Sequence, residues 1–151
     1  MTNIKKITIL RSAVGSLPSI GLIKELKENT VRVVGLDSNQ LSVGFEFCDK
    51  SYVIPSGNNP QFLKKIIDIC KIEKPDMILS GPEEEILKLS KNKKLFEKLG
   101  IIVFCPNYEM VKICADKLKT YKKLNEINIP IPTIYNNNFK FPCIIKPRFG
   151  R

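Results

Sequence analysis

The chain has 151 residues, 43% hydrophobic and 26% charged, which is enough for one domain with a buried core and a smaller appendage. It has no histidine, and its five cysteines form no CxxC pair. These features argue against a zinc site, a disulfide framework and Ser-His-Asp or Cys-His catalysis. No apolar run approaches the roughly 18–20 residues of a membrane span. Arg11 interrupts the first apolar run, so we expect no secretory signal and a cytoplasmic protein.

The net charge of +10 is unevenly distributed along the chain. Residues 112–151 contain nine lysines and arginines against two acids, a net charge of +7, whereas the preceding 111 residues carry only +3. Concentrated positive charge favours a polyanionic partner. For Lys119, Lys122 and Lys123, a solvated, lysine-rich helix face is an equally good interpretation.

The first 111 residues alternate short apolar segments with amphipathic ones. Strands are predicted at residues 4–10, 31–36, 51–54, 77–79 and 101–104. Helices are predicted at residues 18–28, 60–73, 86–99 (with an interruption near 90–92) and 110–113, and a turn at residues 11–17. This alternation is typical of an α/β fold, and it predicts a Rossmann-like, doubly wound parallel sheet.

Two residues in this region invite a dinucleotide-binding interpretation. Gly15 follows the first strand, but Gly15 and Gly21 are six residues apart and the GxGxxG fingerprint is absent, so we predict a tight turn instead. Asp37 ends the second strand, where a dinucleotide-binding fold carries its ribose-binding acid. Without the glycine fingerprint, capping or turn formation is the better interpretation of Asp37.

The last 40 residues combine a helix start and a strand end that each carry a lysine. Asp116 and Lys117 begin a predicted helix of about ten residues, a proline-containing turn follows at residues 128–133, and an apolar strand at 141–145 leads to Lys146. We expect that strand to be core, with Cys143 buried in it; Cys70 and Cys105 are likewise predicted core residues. Lysine side chains and helix N-termini both suit a polyphosphate.

The order of these elements resembles a known family. The chain reads DK, then INIPIPTIY, then FPCIIKPRFGR. This order is similar to the opening of the ATP-grasp lobe in carbamoyl phosphate synthetase large subunits and related ligases. The resemblance implies a Rossmann-like pre-ATP-grasp domain at residues 1–111 and the first elements of an incomplete ATP-binding subdomain at 112–151. The family's glycine-rich phosphate loop, magnesium carboxylates and catalytic basic residues would lie beyond Arg151.

The resemblance also implies a function. It identifies the chain as the N-terminal portion of an ATP-dependent carboxylate–amine or carboxylate–ammonia ligase that acts through an acyl phosphate, with ATP and Mg²⁺ as cofactors. The substrates would be a small carboxylate or bicarbonate and an amine or ammonia donor, and the remainder of the ATP-grasp lobe would be a partner. Lys117, Lys146 and Arg148 would contact ATP, whereas no catalytic residue or metal ligand is expected in these 151 residues, which alone should be inactive. A homodimer is one assembly that the resemblance allows.

Four further residues are candidates for the substrate cleft. Ser12 and Ser16 lie in the first strand-to-helix turn, and Glu83 and Glu84 lie near the carboxyl end of the fourth strand, where doubly wound sheets place ligands. A simpler interpretation of the two glutamates is favourable charge at a helix N-terminus.

Two other functions are compatible with the sequence. A Rossmann-type module that binds a dinucleotide or another ligand without catalysis would use residues 1–111, although the missing fingerprint counts against it. A nucleic-acid-binding protein would suit the charge, but the few aromatic residues near the basic segment form no RNA-binding pattern.

Overall fold

The computed structural model describes residues 6–135 and 137–150. The chain divides into two compact units, one ending at Pro106 and the other beginning at Asn107. The finer assignment of domains to residues 1–111 and 112–151 stays a prediction. In the part of the chain that the structure describes, no helix is long and apolar enough to cross a membrane.

The first unit is built on a five-stranded, all-parallel sheet, whose strands in chain order are β1 (Thr8–Ser12), β2 (Arg32–Asp37), β3 (Lys50–Val53), β4 (Met77–Leu79) and β5 (Ile102–Val103). Their order across the sheet is β3-β2-β1-β4-β5. The chain moves outward in one direction from β1 to β3 and then returns to β4 on the other side of β1, which is the doubly wound arrangement. The predicted fold class is therefore confirmed.

The helices follow the predicted alternation closely. A proline at the first turn of the first helix supplies the fixed φ that a helix start tolerates. The helix predicted at 86–99 begins earlier and is interrupted at Asn92. A 3₁₀ helix (Val43–Phe47) precedes β3. The α-helices are α1 (Leu17–Glu28), α2 (Phe62–Glu73), α3 (Glu83–Lys91), α4 (Lys93–Glu97), α5 (Tyr108–Cys114) and α6 (Lys117–Glu126).

Apolar side chains cover both faces of the sheet. On β2, Val33 packs with Ile23 of α1, whereas the next residue, Val34, belongs to the larger cluster that contains Phe62 of α2. This alternation follows from the two-residue period of a strand. Burying each such side chain contributes about 1.5–3 kcal/mol, so helix packing on both faces stabilises the central strands.

The first strand is shifted from its predicted position. The prediction began it at residue 4, which lies outside the described residues, and ended it at residue 10; β1 instead continues through Arg11 and Ser12, where a turn was expected. Pairing with β2 continues to Ser12, opposite Leu36. Arg11 tolerates this position, although only 8% exposed, because Ser19 and the Leu79 carbonyl accept its hydrogen bonds.

The apolar strand predicted at residues 141–145 does not form. The backbone there is irregular, and Phe141, Ile144 and Ile145 are 85%, 81% and 83% exposed rather than core. A strand needs a neighbour to satisfy its backbone N–H and C=O groups, and the described residues from 107 on supply none. Of the three cysteines predicted to be core residues, Cys70 is buried as expected and Cys105 is half-buried but packs against the main apolar cluster. The prediction for Cys143 fails, because Cys143 is half-buried in the irregular segment.

Candidate functional site

A pocket of about 630 Å³ in the second unit brings together the three cations predicted at ATP. Lys117, Lys146 and Arg148 all line it, and its volume is within the roughly 300–1,000 Å³ of small-molecule sites. The remaining wall is mainly apolar and aromatic, with Tyr121 and Tyr135 among its side chains. No acidic residue is among the described residues that line the pocket. Such a pocket favours a ligand that is anionic at one end and flat or apolar at the other.

Asp116 organises the start of α6. Its backbone is extended, and its Oδ1 accepts hydrogen bonds from the backbone N–H groups of Leu118 (3.1 Å) and Lys119 (3.3 Å). This is the N-cap arrangement typical of an aspartate directly before a helix. The free N–H groups that would attract a phosphate are therefore already bonded to the protein's own carboxylate.

Arg148 binds the same carboxylate with both sides of its guanidinium group. Its Nε donates to Asp116 Oδ1 at 2.8 Å and its Nη2 donates to Oδ2 at 2.7 Å. The hydrogen bonds from Arg148, with its charge, lower the pKa of Asp116 to about 2, and the aspartate in turn raises the pKa of Arg148. The carboxylate of Asp116 thus largely neutralises the positive charge of Arg148.

The two lysines of the pocket are in different situations. Lys117 is half-buried, and its Nζ donates to the Gly150 carbonyl at 2.6 Å, a neutral partner that leaves its positive charge uncompensated. Lys146 is exposed, and among residues 6–135 and 137–150 it has no hydrogen-bond or ion-pair partner. Lys146 is therefore the cation most available to a ligand.

The four residues predicted at the substrate cleft lie at the carboxyl edge of the sheet. Ser12 ends β1 and is buried, whereas Ser16 is exposed and donates to the Ala13 carbonyl within the turn. Glu83 and Glu84 are in the first turn of α3, the former exposed and the latter half-buried. Of these four, Ser16 and Glu83 are accessible to a ligand.

Two buried charges at this edge were not predicted. Glu85 is 6% exposed and accepts a hydrogen bond from Ser80 at 2.8 Å, and burial raises its pKa. Burial lowers the pKa of Arg11, an effect that Glu85 opposes. The spacing of Glu85 in the sequence could have indicated that its side chain is buried. Glu85 lies four residues before the buried Leu89 on α3, so both side chains face inward.

The polar groups of the turn after β1 are hydrogen-bonded to the carboxylate of Asp37. Asp37 Oδ2 accepts hydrogen bonds from the Gly15 backbone N–H (2.9 Å) and from the Ser42 hydroxyl (3.0 Å), and its Oδ1 accepts one from Asn39 N–H (3.0 Å). This geometry agrees with the turn-forming interpretation of Asp37. The groups that a dinucleotide would use here are already engaged.

A second cavity, of about 410 Å³, lies elsewhere in the first unit. It is lined by residues that include Lys74, Asp76 and Gly100, which precede β4 and β5. Ligands of doubly wound sheets bind at the opposite, carboxyl edge. We therefore place no functional site there.

Comparison with known proteins establishes the family. The profile of the family described as PylC-like, N-terminal domain, matches residues 18–104. The chain belongs to this family. A curated carbamoyl-phosphate synthase from Methanobrevibacter smithii is 26% identical over 136 residues, which cover 83% of this chain and 36% of that protein. The resemblance to the N-terminal part of ATP-grasp enzymes is thereby confirmed.

Solved structures support the same fold. N5-carboxyaminoimidazole ribonucleotide synthetase from Thermotoga maritima is 22% identical with a TM-score of 0.62, and the match covers 84% of this chain and 32% of that one. Glycinamide-RNase-transformylase T from Mycobacterium tuberculosis is 15% identical with a TM-score of 0.62, over 80% and 35% of the two chains. The chain spans about a third of the length of these relatives.

The residues present suit ATP better than they suit a metal ion. The pocket of the second unit offers aromatic walls and two lysines that have no acidic partner among the described residues, which fit a base and a polyphosphate. Over residues 6–135 and 137–150 there is no cluster of three or more histidine, cysteine, aspartate or glutamate side chains that could hold a metal. We therefore assign no Mg²⁺ ligand to the described residues.

Proposed function

We propose that this chain is the N-terminal portion of a carbamoyl phosphate synthetase-like ATP-grasp ligase, and that the pocket of its second unit contributes to ATP binding. The observation that carries the proposal is the convergence of Lys117 and Lys146 on one pocket that no acidic side chain lines among the described residues. Their ammonium groups would bind the phosphates, and Tyr121 and Tyr135 would offer flat surfaces to the base. When bound, ATP supplies the phosphoryl group that activates a carboxylate as an acyl phosphate.

The substrates and partners extend this proposal. The activated group would be a small carboxylate or bicarbonate, and the acceptor an amine or ammonia. Ser12, Ser16, Glu83 and Glu84 are proposed to line the substrate cleft; the exposure of Ser16 and Glu83 supports those two most. Since all five cysteines are free, we propose a reducing, cytoplasmic location.

The remainder of the ATP-grasp lobe is the proposed partner of the second unit. The exposed Phe141, Ile144 and Ile145 support this, because large apolar side chains left in water favour burial against another surface. Magnesium would be held by residues of that remainder. We accordingly expect the 151 residues alone to turn over no ATP.

Calorimetric titration of the chain with ATP tests the proposal. We expect weak binding that Lys146→Ala reduces about tenfold or more, because the accessible ammonium group is lost; one lost charge-assisted contact amounts to roughly 1.5–3 kcal/mol. Lys64→Ala, an exposed lysine on α2, is the matched control and should bind as the unmodified chain does. Equal binding by the Lys146→Ala and unmodified chains would contradict the proposal.

The doubly wound sheet also suits a Rossmann-type ligand-binding module, so NAD and NADP belong in the same titration. The engaged turn at Gly15 and Asp37 predicts no dinucleotide binding. Binding of NAD that is unaffected by Lys146→Ala would favour the ligand-binding module over the ligase.

A further inference from the structure

Residues 146–150, which we name the lysine loop, are attached to the start of α6 by side-chain and backbone bonds. The guanidinium of Arg148 binds both carboxylate oxygens of Asp116, at 2.8 and 2.7 Å. The Arg148 carbonyl accepts from the Lys117 backbone N–H at 3.1 Å, and the Gly150 carbonyl accepts from Lys117 Nζ at 2.6 Å. All four bonds end on either Asp116 or Lys117.

Asp116 is the fixed end of this attachment. It is 1% exposed, and its Oδ1 also accepts from the N–H groups of Leu118 and Lys119. A carboxylate with this many donors is held in one orientation, and it dictates where the guanidinium lies. Because the planar fork of an arginine matches both oxygens at once, a lysine cannot reproduce the contact.

The pair leaves Arg148 poorly suited to bind a phosphate. Its Nε and one terminal nitrogen are already bonded to Asp116, and the carboxylate cancels its charge. Lys117 and Lys146 face the same pocket without an acidic partner in the described residues. The arginine and the lysines therefore have different tasks.

We propose that Arg148 is a positioning residue: its ion pair with Asp116 fixes the lysine loop against α6, so that Lys117 and Lys146 alone present their charges to the bound anion. The inference rests on the proposed function, because it takes the triphosphate of ATP as that anion. It replaces direct phosphate binding by Arg148, which the family resemblance implies.

The Asp116→Asn variant distinguishes a positioning role of Arg148 from direct phosphate binding, because the two roles predict opposite changes in the affinity for an anion. Asparagine keeps the N-cap, so α6 is preserved, but its amide nitrogen cannot accept from Arg148. If Arg148 contacted phosphate, removing a negative charge and freeing the guanidinium would tighten anion binding. If Arg148 positions the loop, the same variant weakens binding although a negative charge has been removed.

The experiment titrates the full chain with ATP and with inorganic tripolyphosphate. We expect Asp116→Asn, Arg148→Ala and Arg148→Lys each to weaken binding roughly 5- to 20-fold, and the double variant Asp116→Asn/Arg148→Ala to be no weaker than either single one, since one interaction is lost in all cases. Tighter binding by Asp116→Asn, or additive losses in the double variant, would overturn the inference.

Hydrogen exchange supplies a readout that needs no ligand. The Lys117 amide donates to the Arg148 carbonyl, whereas the Thr120 amide donates to the Asp116 carbonyl within the helix. In Asp116→Asn we expect faster exchange at Lys117 and unchanged exchange at Thr120. Unchanged exchange at both amides would overturn the inference.

The two proposals can fail separately. Tripolyphosphate binding that depends on the Asp116–Arg148 pair, with no binding of ATP, would overturn the proposed function and uphold the positioning role. ATP binding that depends on Lys146 but is tightened by Asp116→Asn would uphold the proposed function and overturn the positioning role. Binding of neither anion by the unmodified chain would overturn both.

Discussion

The two units of this chain are stabilised in different ways. The sheet unit buries large apolar side chains on both faces of β1 and β2, whereas among the described residues from Asn107 on only Val111 and Asp116 are buried. In the second unit the lysine loop contacts the start of α6 through polar groups: the Asp116–Arg148 pair and the bonds from Lys117 to the carbonyls of Arg148 and Gly150. Hydrophobic burial accounts for the first unit and hydrogen-bonded charge for the candidate site of the second.

The two units should differ most in how much stability each loses when a large apolar side chain is truncated to alanine. Phe62→Ala removes a fully buried ring from the main cluster of the sheet unit and should lower the free energy of unfolding by about 3–5 kcal/mol. Ile144→Ala in the second unit removes a side chain that is 81% exposed, so we expect a change within about 0.5 kcal/mol. Urea unfolding followed by far-ultraviolet circular dichroism measures both.

Leu41→Ala is the control for that comparison, because Leu41 is an exposed leucine of the sheet unit. It should behave as Ile144→Ala does. A loss at Ile144 as large as that at Phe62 would show that the second unit has a hydrophobic core of its own.

A smaller effect is expected from close packing at Gly44. A Cβ atom added there would meet the backbone carbonyl of Val14 far inside van der Waals contact, so Gly44→Ala should cost about 1–3 kcal/mol. At Gly21, on α1, an added Cβ meets nothing, and Gly21→Ala should stabilise by about 0.4–1 kcal/mol. Thermal unfolding of the two variants gives the comparison, and equal melting temperatures would contradict it.

The smallest effect concerns the pH dependence of the second unit. Because the folded-state pKa of Asp116, about 2, lies below its ordinary value of 3.8, the Arg148 pair stabilises the lysine loop fully above about pH 4–5. That contribution is lost as the pH falls through about 2, where the folded-state carboxylate becomes protonated.

Carbon-detected NMR of the Asp116 carboxyl group measures this titration directly. We expect a midpoint near 2 in the unmodified chain and a shift toward the ordinary value of aspartate in Arg148→Ala. A midpoint near 4 in the unmodified chain would show that the pair does not form in solution.

Local patterns in the sequence predict the sheet unit well. The apolar stripe of α2 and the proline at the start of α1 indicate those helices, and the alternation of elements indicates the doubly wound fold. Pattern alone misplaces the end of β1, because the charge of Arg11 suggests a turn. The partners that allow it to be buried, Ser19 and the Leu79 carbonyl, are visible only in the folded chain.

The candidate site is predicted only in part. The family motif brings Lys117, Lys146 and Arg148 to attention, and all three line one pocket. Asp116 and Arg148 are 32 residues apart, and no spacing rule pairs residues at that distance. The apolar run at 141–145 has the composition of a strand, but composition does not show whether a neighbouring strand is present.

Labelling with an ATP analogue that transfers an acyl group to lysines near its phosphates tests the central claim most directly. After digestion, mass spectrometry should locate the label on Lys146 and Lys117, and an excess of ATP should suppress it. Lys64 provides the internal comparison, because it is an exposed lysine outside the pocket. Labelling of Lys64 equal to that of Lys146, or labelling of Lys146 that ATP does not reduce, would contradict the account.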